Sequence, residues 1–164
     1  MMDDSPKKET VVCPGSFDPI HKGHLDIIER CAKLFNEVIV LVASNTNKKY
    51  FFTEAERAAL SKQEVKHLSN VKVAVLGRQT LAGFCAEHEA SVVKGIRNGS
   101  DFEYEVPMST INKKLSGVET IFLPAAAEVV HISSTIVKEV HFFNGDVESM
   151  VSHNISRAMQ DKAN

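Results

Sequence analysis

Directly behind the apolar run Val11-Val12-Cys13 stands the segment Pro14-Gly-Ser-Phe-Asp-Pro-Ile-His-Lys-Gly-His24, which gathers a hydroxyl and two imidazoles around a turn. A strand that ends in Pro-Gly and hands over to a helix beginning near Gly23 presents backbone N–H groups at a helix N-terminus, where anions are favoured. The chemistry such a turn offers is phosphate binding. His24 is a donor that can meet the charge building on a five-coordinate phosphorus centre; its plainer use is to satisfy a backbone group at the helix start. Ser16 supplies one donor and acceptor at the strand exit, and a serine after Pro-Gly also serves simply as a turn residue. Gly23 lets the backbone come close to a ligand. Asp18 would repel phosphates, so its expected role is to orient the turn. His21 suits a solvated rim as well as it suits phosphate contact.

Three later blocks add cations and donors. Lys48 lies in the polar loop Ser44-Asn-Thr-Asn-Lys-Lys-Tyr50, with Lys49 as its solvated neighbour. In Lys94-Gly-Ile-Arg97 two cations flank a glycine, and the Arg97 guanidinium can clamp two phosphate oxygens at once. In His131-Ile-Ser-Ser-Thr-Ile-Val-Lys-Glu139 the hydroxyls and N–H groups of Ser133, Ser134 and Thr135 sit at a helix start, where they can bind phosphates and cap the helix together.

Ser16-Phe-Asp-Pro followed by Gly23-His24 resembles the (S/T)-x-x-x-x-x-x-G-H signature of the nucleotidyltransferases. The block from Lys94 to Glu105 and the block from His131 to Glu139 resemble the matching segments of the bacterial phosphopantetheine adenylyltransferase family, and the resemblance runs from Thr10 onward. It implies transfer of the adenylyl group of ATP to 4'-phosphopantetheine, giving dephospho-coenzyme A and pyrophosphate in coenzyme A biosynthesis. It assigns catalysis to His24, Lys48 and Ser16. ATP would be held by Ser16, Phe17, His24, Gly95, Ile96, Arg97 and Glu105. The segment Val129, Val130, His131, Ile132, Ser133, Ser134 and Thr135 would complete that site. The acceptor would meet Ser16, Lys48, Leu81 and Lys94. Lys94 departs from the family's usual Arg, keeping the charge without the bidentate fork. Val129 stands where some members carry an aromatic, so the adenine contact is expected to be aliphatic or backbone. Tyr104 is a neighbouring wall or core.

A phosphomonoester with a second pKa of about 6 is already a dianion near neutrality, so the expected reaction needs no general base. Mg2+ is expected on the phosphates and water, with no dedicated protein cage. The resemblance also implies a homohexamer and feedback inhibition by coenzyme A. Other nucleotidyltransferases, a cytidylyltransferase or a nicotinamide mononucleotide adenylyltransferase, share the first motif, and a non-catalytic nucleotide-binding module is a further alternative on the same fold.

The chain has 164 residues, the size of one domain, with residues 1–9 expected to be a flexible extension. A formal charge of −2 offers no basic face for nucleic acid. Cys13, Cys31 and Cys85 form no C-x-x-C pair, so they are expected to be core residues, with neither a disulfide framework nor a zinc site. The polar N-terminus and the lack of any long apolar run lead to the expectation of a cytoplasmic protein without membrane contact.

The elements that must position these groups follow from periodicity. Short apolar runs predict strands over 10–13, 38–43, 71–76, 91–93 and 120–122. Helical spacing predicts helices over 23–35, 81–88 and 102–115, and Thr53-Glu-Ala-Glu56 is a capping-box start for another ending near Lys66. The alternation predicts an α/β, Rossmann-like, doubly wound five-stranded parallel sheet with C-terminal helices, its ligands at the strand C-terminal ends. Past Ile132, Ser133 or Ser134 starts a helix that Asn144-Gly145 stops, and short helices are expected over 146–150 and 154–162. Pro107 requires either a kink or a separate first turn in its helix.

Overall fold

The computed structural model describes residues 9–163, so the expected N-terminal extension lies, but for Glu9, outside the described residues. The elements run β1 Thr10–Gly15, α1 Lys22–Leu34, β2 Glu37–Val42, α2 Glu54–Val65, β3 Val71–Val75 and α3 Leu81–Glu87. They continue as β4 Ala90–Ile96, α4 Gly99–Ser116, β5 Thr120–Pro124, α5 Ser134–Phe142 and α6 His153–Ala163. All five strands are parallel, in the order β3-β2-β1-β4-β5.

Parallel strands are covered on both faces and therefore read as unbroken apolar runs. Val38-Ile-Val-Leu-Val42 of β2 is buried throughout. Val38, Val40 and Val42 join Val11 and Cys13 of β1 beneath α1, α2 and α6, while Val12, Ile39 and Leu41 face the α3 side with Phe84 and Cys85. Two cores on opposite faces make the sheet doubly wound.

The site is opened by a parting of strands. β1 pairs with β2 as far as Gly15↔Val42, but with β4 only as far as Val12↔Val92. Beyond that point β1 and β4 diverge at the place where strand order reverses, which is where open α/β sheets bind ligands.

Several local readings needed revision. β4 extends to Ile96, so Lys94 and Gly95 are strand residues, not loop residues after it. α4 runs as one element from Gly99 to Ser116 with Pro107 inside it, which removes the separate first turn from the two alternatives. Residues 146–150 form turns, not a helix: Asp146 Oδ1 accepts the Glu148 N–H, and only a single turn of backbone bonds follows from Val147. Helix starts and stops follow their side chains. Thr53 and Glu56 form the capping box, and Ser133 caps α5. α5 ends at left-handed Asn144 (φ 58°), with Gly145 N–H donating to Val140 O and Asn144 N–H to His141 O.

Candidate active site

The parted ends of β1 and β4, the start of α1, the first turns of α4 and the segment leading into α5 enclose a cavity of about 410 Å³. Its wall includes Phe17, His24, Lys94, Gly95, Arg97 and Glu105, together with Val129, Ile132, Ser133, Ser134 and Thr135. A second cavity of about 400 Å³ lies along α4, and Leu81 belongs to that one. Lys94, Tyr104 and Glu105 line both, so the two spaces meet there. Tyr104 is a wall residue, 75% exposed, and not core. Ser16 and Lys48 are outside the first cavity's wall, Lys48 on the exposed loop after β2. Ile96, Val130 and His131 flank the wall without forming it, the last two exposed.

At the start of α1 the two histidines cap the helix for each other. His21 is the N-cap, its Nδ1 accepting from the N–H of Gly23 (3.0 Å) and of His24 (3.3 Å), while His24 Nδ1 accepts from the His21 N–H at 3.2 Å. His21 is therefore neither solvated nor a rim residue but buried. Because both Nδ1 atoms accept, each neutral ring carries its proton on Nε2. Burial pulls the His21 pKa down to about 4, with the Arg97 charge adding to it. Burial, then His21 and Arg97, hold His24 well below the ordinary histidine value. His24 thus offers the cavity a neutral Nε2–H donor. The edge of Phe17, itself at φ 50°, braces the His24 ring at 4.9 Å between centroids.

The glycines of this site answer to packing. A Cβ on Gly23 would lie 2.9 Å from His21 Cε1, and one on Gly95 would lie 2.9 Å from Ile27 Cγ1. Neither has the left-handed φ that would demand glycine by itself. Close approach of neighbouring side chains requires them, where the sequence had suggested close approach of a ligand.

Both cavity cations are paired with carboxylates one helical turn apart on α4. Arg97 donates from Nε to Asp101 Oδ2 at 3.0 Å and from Nη2 to Asp101 Oδ1 at 3.2 Å, and Lys94 Nζ lies 3.3 Å from Glu105 Oε1. The Arg97 side-chain bond, opposed by burial and helped by the Arg97 N–H, lowers the Asp101 pKa. The Arg97 fork, expected on phosphate, rests here on a carboxylate; an incoming phosphate has to share or exchange it.

Two buried residues hold the frame, Asp18, named in the first motif, and Arg57, which the motifs do not include. Asp18 is buried and accepts the N–H groups of Phe51 and Phe52, both at 2.8 Å, and pairs with Lys138 Nζ at 3.2 Å. That fits its expected role in orienting the turn. Arg57, 1% exposed, donates to the carbonyls of Ser16 (2.7 Å), Ala43 (3.0 Å) and Phe52 (3.3 Å) and to Ser44 Oγ (2.6 Å). It ties the ends of β1 and β2 to α2, with the Tyr50 ring over its guanidinium at 4.1 Å. The sequence signal that could have found it is its spacing of four and eight residues before Ser61 and Val65, the buried face of α2. Among the described residues, no group of three or more His, Cys, Asp or Glu side chains is placed to hold a metal ion.

A family profile described as cytidylyltransferase-like matches residues 12–140. A phosphopantetheine adenylyltransferase from Pseudarthrobacter chlorophenolicus is 48% identical over 149 residues, 90% of each chain. One from Renibacterium salmoninarum is 48% identical over 151 residues, 92% of this chain and 94% of its own. The chain belongs to the phosphopantetheine adenylyltransferase family. A solved structure from Vibrio parahaemolyticus, described as a nicotinate-nucleotide adenylyltransferase, superposes with a TM-score of 0.67 over 93% of this chain and 99% of its own. At 19% identity that likeness speaks for the fold alone. The Rossmann-like architecture read from the alternation of elements is the architecture found.

Proposed function

We propose that this nucleotidyltransferase moves the adenylyl group of ATP onto 4'-phosphopantetheine, releasing pyrophosphate and forming dephospho-coenzyme A. The observation that carries the reading is the meeting of two cavities at Lys94, one walled by His24, Arg97 and the α5 N-terminus, the other by Leu81 and the apolar side of α4. The first suits a nucleotide triphosphate. The second suits an acceptor with a long arm, its terminal phosphate at Lys94.

In this arrangement the His24 Nε2–H donates to the α-phosphate as the acceptor phosphate attacks in line, and the charge spread over the phosphoryl oxygens is met by fixed donors. Ser133, Ser134 and Thr135, at the positive end of α5, take the departing phosphates. Lys48 joins the reaction only if the loop over 44–50 folds inward onto the bound acceptor, and Ser16, on the turn between β1 and α1, only if the acceptor's phosphate reaches past the cavity wall to it. The cavity's donors fit phosphate oxygens, not a cation, and its two carboxylates are already paired; Mg2+ would be held by the phosphates of ATP and water and would supply charge neutralisation there.

Tyr104, Met108, Ile111 and Leu115, exposed on α4, also wall the second cavity; a further copy seated beside it would cover the apolar surface the acceptor leaves open, which accords with the family's hexamer. Coenzyme A, which carries the acceptor's arm, would inhibit by occupying the second cavity. No described helix is long and apolar enough to cross a membrane, and a cytoplasmic setting accords with the substrates.

The deciding experiment measures pyrophosphate from ATP with and without 4'-phosphopantetheine. Release dependent on that acceptor is expected. Release with CTP, or with nicotinamide mononucleotide as acceptor instead, overturns the substrate assignment, and ATP binding without release under any acceptor overturns the enzyme assignment.

A further inference from the structure

Cys13 on β1 and Cys31 on α1 stand with their sulfurs 3.9 Å apart, both as free, buried thiols. Cys85, the third cysteine, is in the core on the other face of the sheet. Cys13 also forms part of the nucleotide cavity's wall, just where β1 leaves β4. The pair divides its protons unevenly. The Cys13 hydrogen bond lowers the Cys31 pKa against the effect of burial, and the same bond together with burial raises Cys13. Two thiols in contact at 3.9 Å are the arrangement in which oxidation of one stops at a disulfide instead of continuing up the ladder.

We propose that Cys13 and Cys31 form a peroxide-sensitive modification site coupled to the nucleotide cavity. Hydrogen peroxide, about the size of water, reaches the pair through the cavity wall at Cys13. The Cys31 thiolate attacks one peroxide oxygen, the O–O bond breaks, and the departing hydroxide takes up a proton and leaves as water. The Cys13 sulfur then attacks the resulting sulfenic sulfur; the S–O bond breaks, a second water leaves and the S–S bond forms. Two thiols are oxidised by one electron each, and one peroxide is reduced to two waters.

The bond draws the sulfurs well inside their present 3.9 Å, since a disulfide spans about 2.0 Å. Side-chain rotation and movement of α1 toward β1 together close that gap. His24 lies on α1 two turns before Cys31, on the same side of the helix as Ile28 and Cys31. Movement of α1 carries Gly23, His24, Ile27 and Ile28 of the cavity wall with it, so oxidation reshapes the nucleotide cavity as a whole and not only the place of one imidazole.

The test treats the full chain with hydrogen peroxide, alkylates the remaining thiols under denaturing conditions and maps the peptides. A Cys13–Cys31 linkage is expected, with Cys85 alkylated, the thiols restored by dithiothreitol and the linkage formed more slowly when ATP is present. ATP titration of the oxidised protein should show at least tenfold weaker binding, recovered on reduction. Alkylation of both Cys13 and Cys31, linkage to Cys85, or sulfinic acid without linkage overturns the site. Linkage with unchanged ATP affinity overturns the coupling. Cys31→Ala should abolish the linked peptide, and if that variant does not fold, the wild-type map decides alone. None of these readouts requires adenylyl transfer, so the site stands or falls apart from the proposed reaction.

Discussion

The rings of His21 and His24 stack with centroids 3.7 Å apart and planes 25° from parallel, and each ring accepts a hydrogen bond from the other residue's backbone N–H. This reciprocal capping joins two uses that sequence reasoning had set against each other. His24 satisfies a backbone group through Nδ1, and for that reason its Nε2–H is fixed as the donor facing the cavity.

If that donor stabilises the transition state, His24→Ala lowers kcat by about 100- to 1000-fold, the range for one preorganised donor. ATP affinity should change little. Steady-state kinetics beside ATP calorimetry separate the two quantities, and near-normal turnover would remove His24 from the mechanism.

Stability should depend on pH through the same pair. His21 titrates at about 4 when folded and at about 6.5 unfolded. Between those values the unfolded chain holds a proton that the folded chain lacks, so stability is complete above pH 6.5 and is lost as pH falls toward 4. At pH 5 the His21 loss is about 2 kcal/mol, or roughly 4 to 8 °C in Tm. His21→Asn keeps an N-cap acceptor but does not titrate. Thermal melts between pH 7 and 5 should have a shallower slope for this variant, and equal slopes would remove His21 as the source.

Lys94 occupies the junction of the two cavities as a point charge on Glu105. Lys94→Met should raise the acceptor KM at least tenfold while the ATP KM stays within about twofold, because only the acceptor's phosphate loses its cation. Lys94→Arg restores a bidentate fork and should tighten phosphopantetheine severalfold. Calorimetry with no gain for Lys94→Arg would mean the surroundings already suit the ammonium.

Arg57 is a buried cation whose partners are three carbonyls and a hydroxyl. Arg57→Met leaves those acceptors unsatisfied and should cost about 3 kcal/mol in chemical denaturation, from several lost bonds to a charged donor. The strand ends it joins carry Ser16 and Ser44, so residual turnover should fall as well. An unchanged denaturation midpoint would show that the carbonyls find water instead.

What could be read in the chain was local. The unbroken apolar run Val38-Ile-Val-Leu-Val42 of β2 marked a strand. Thr53 with Glu56, Ser133, and Asn144 before Gly145 announced helix ends, because a cap depends on atoms only a few residues away. Misreadings came where local signals were weak or were overruled. Residues 146–150 close only a turn, and β4 runs on through Lys94 to Ile96.

The order of apolar runs and turn residues determined by itself that this would be a parallel α/β sheet with His24, Arg97 and the hydroxyls before α5 at its strand ends, since connection handedness leaves few other arrangements. Only the tertiary structure decided which of those groups share a wall. It set Arg97 on Asp101, left Lys48 and Ser16 outside the cavity and Leu81 in a second one. It also brought Arg57 beneath the strand ends and Cys13 beside Cys31. The physical reason is range: a cap or a strand is chosen by neighbours in sequence, but an ion pair, a cavity wall or a pair of thiols exists only after distant segments have packed and excluded water between them.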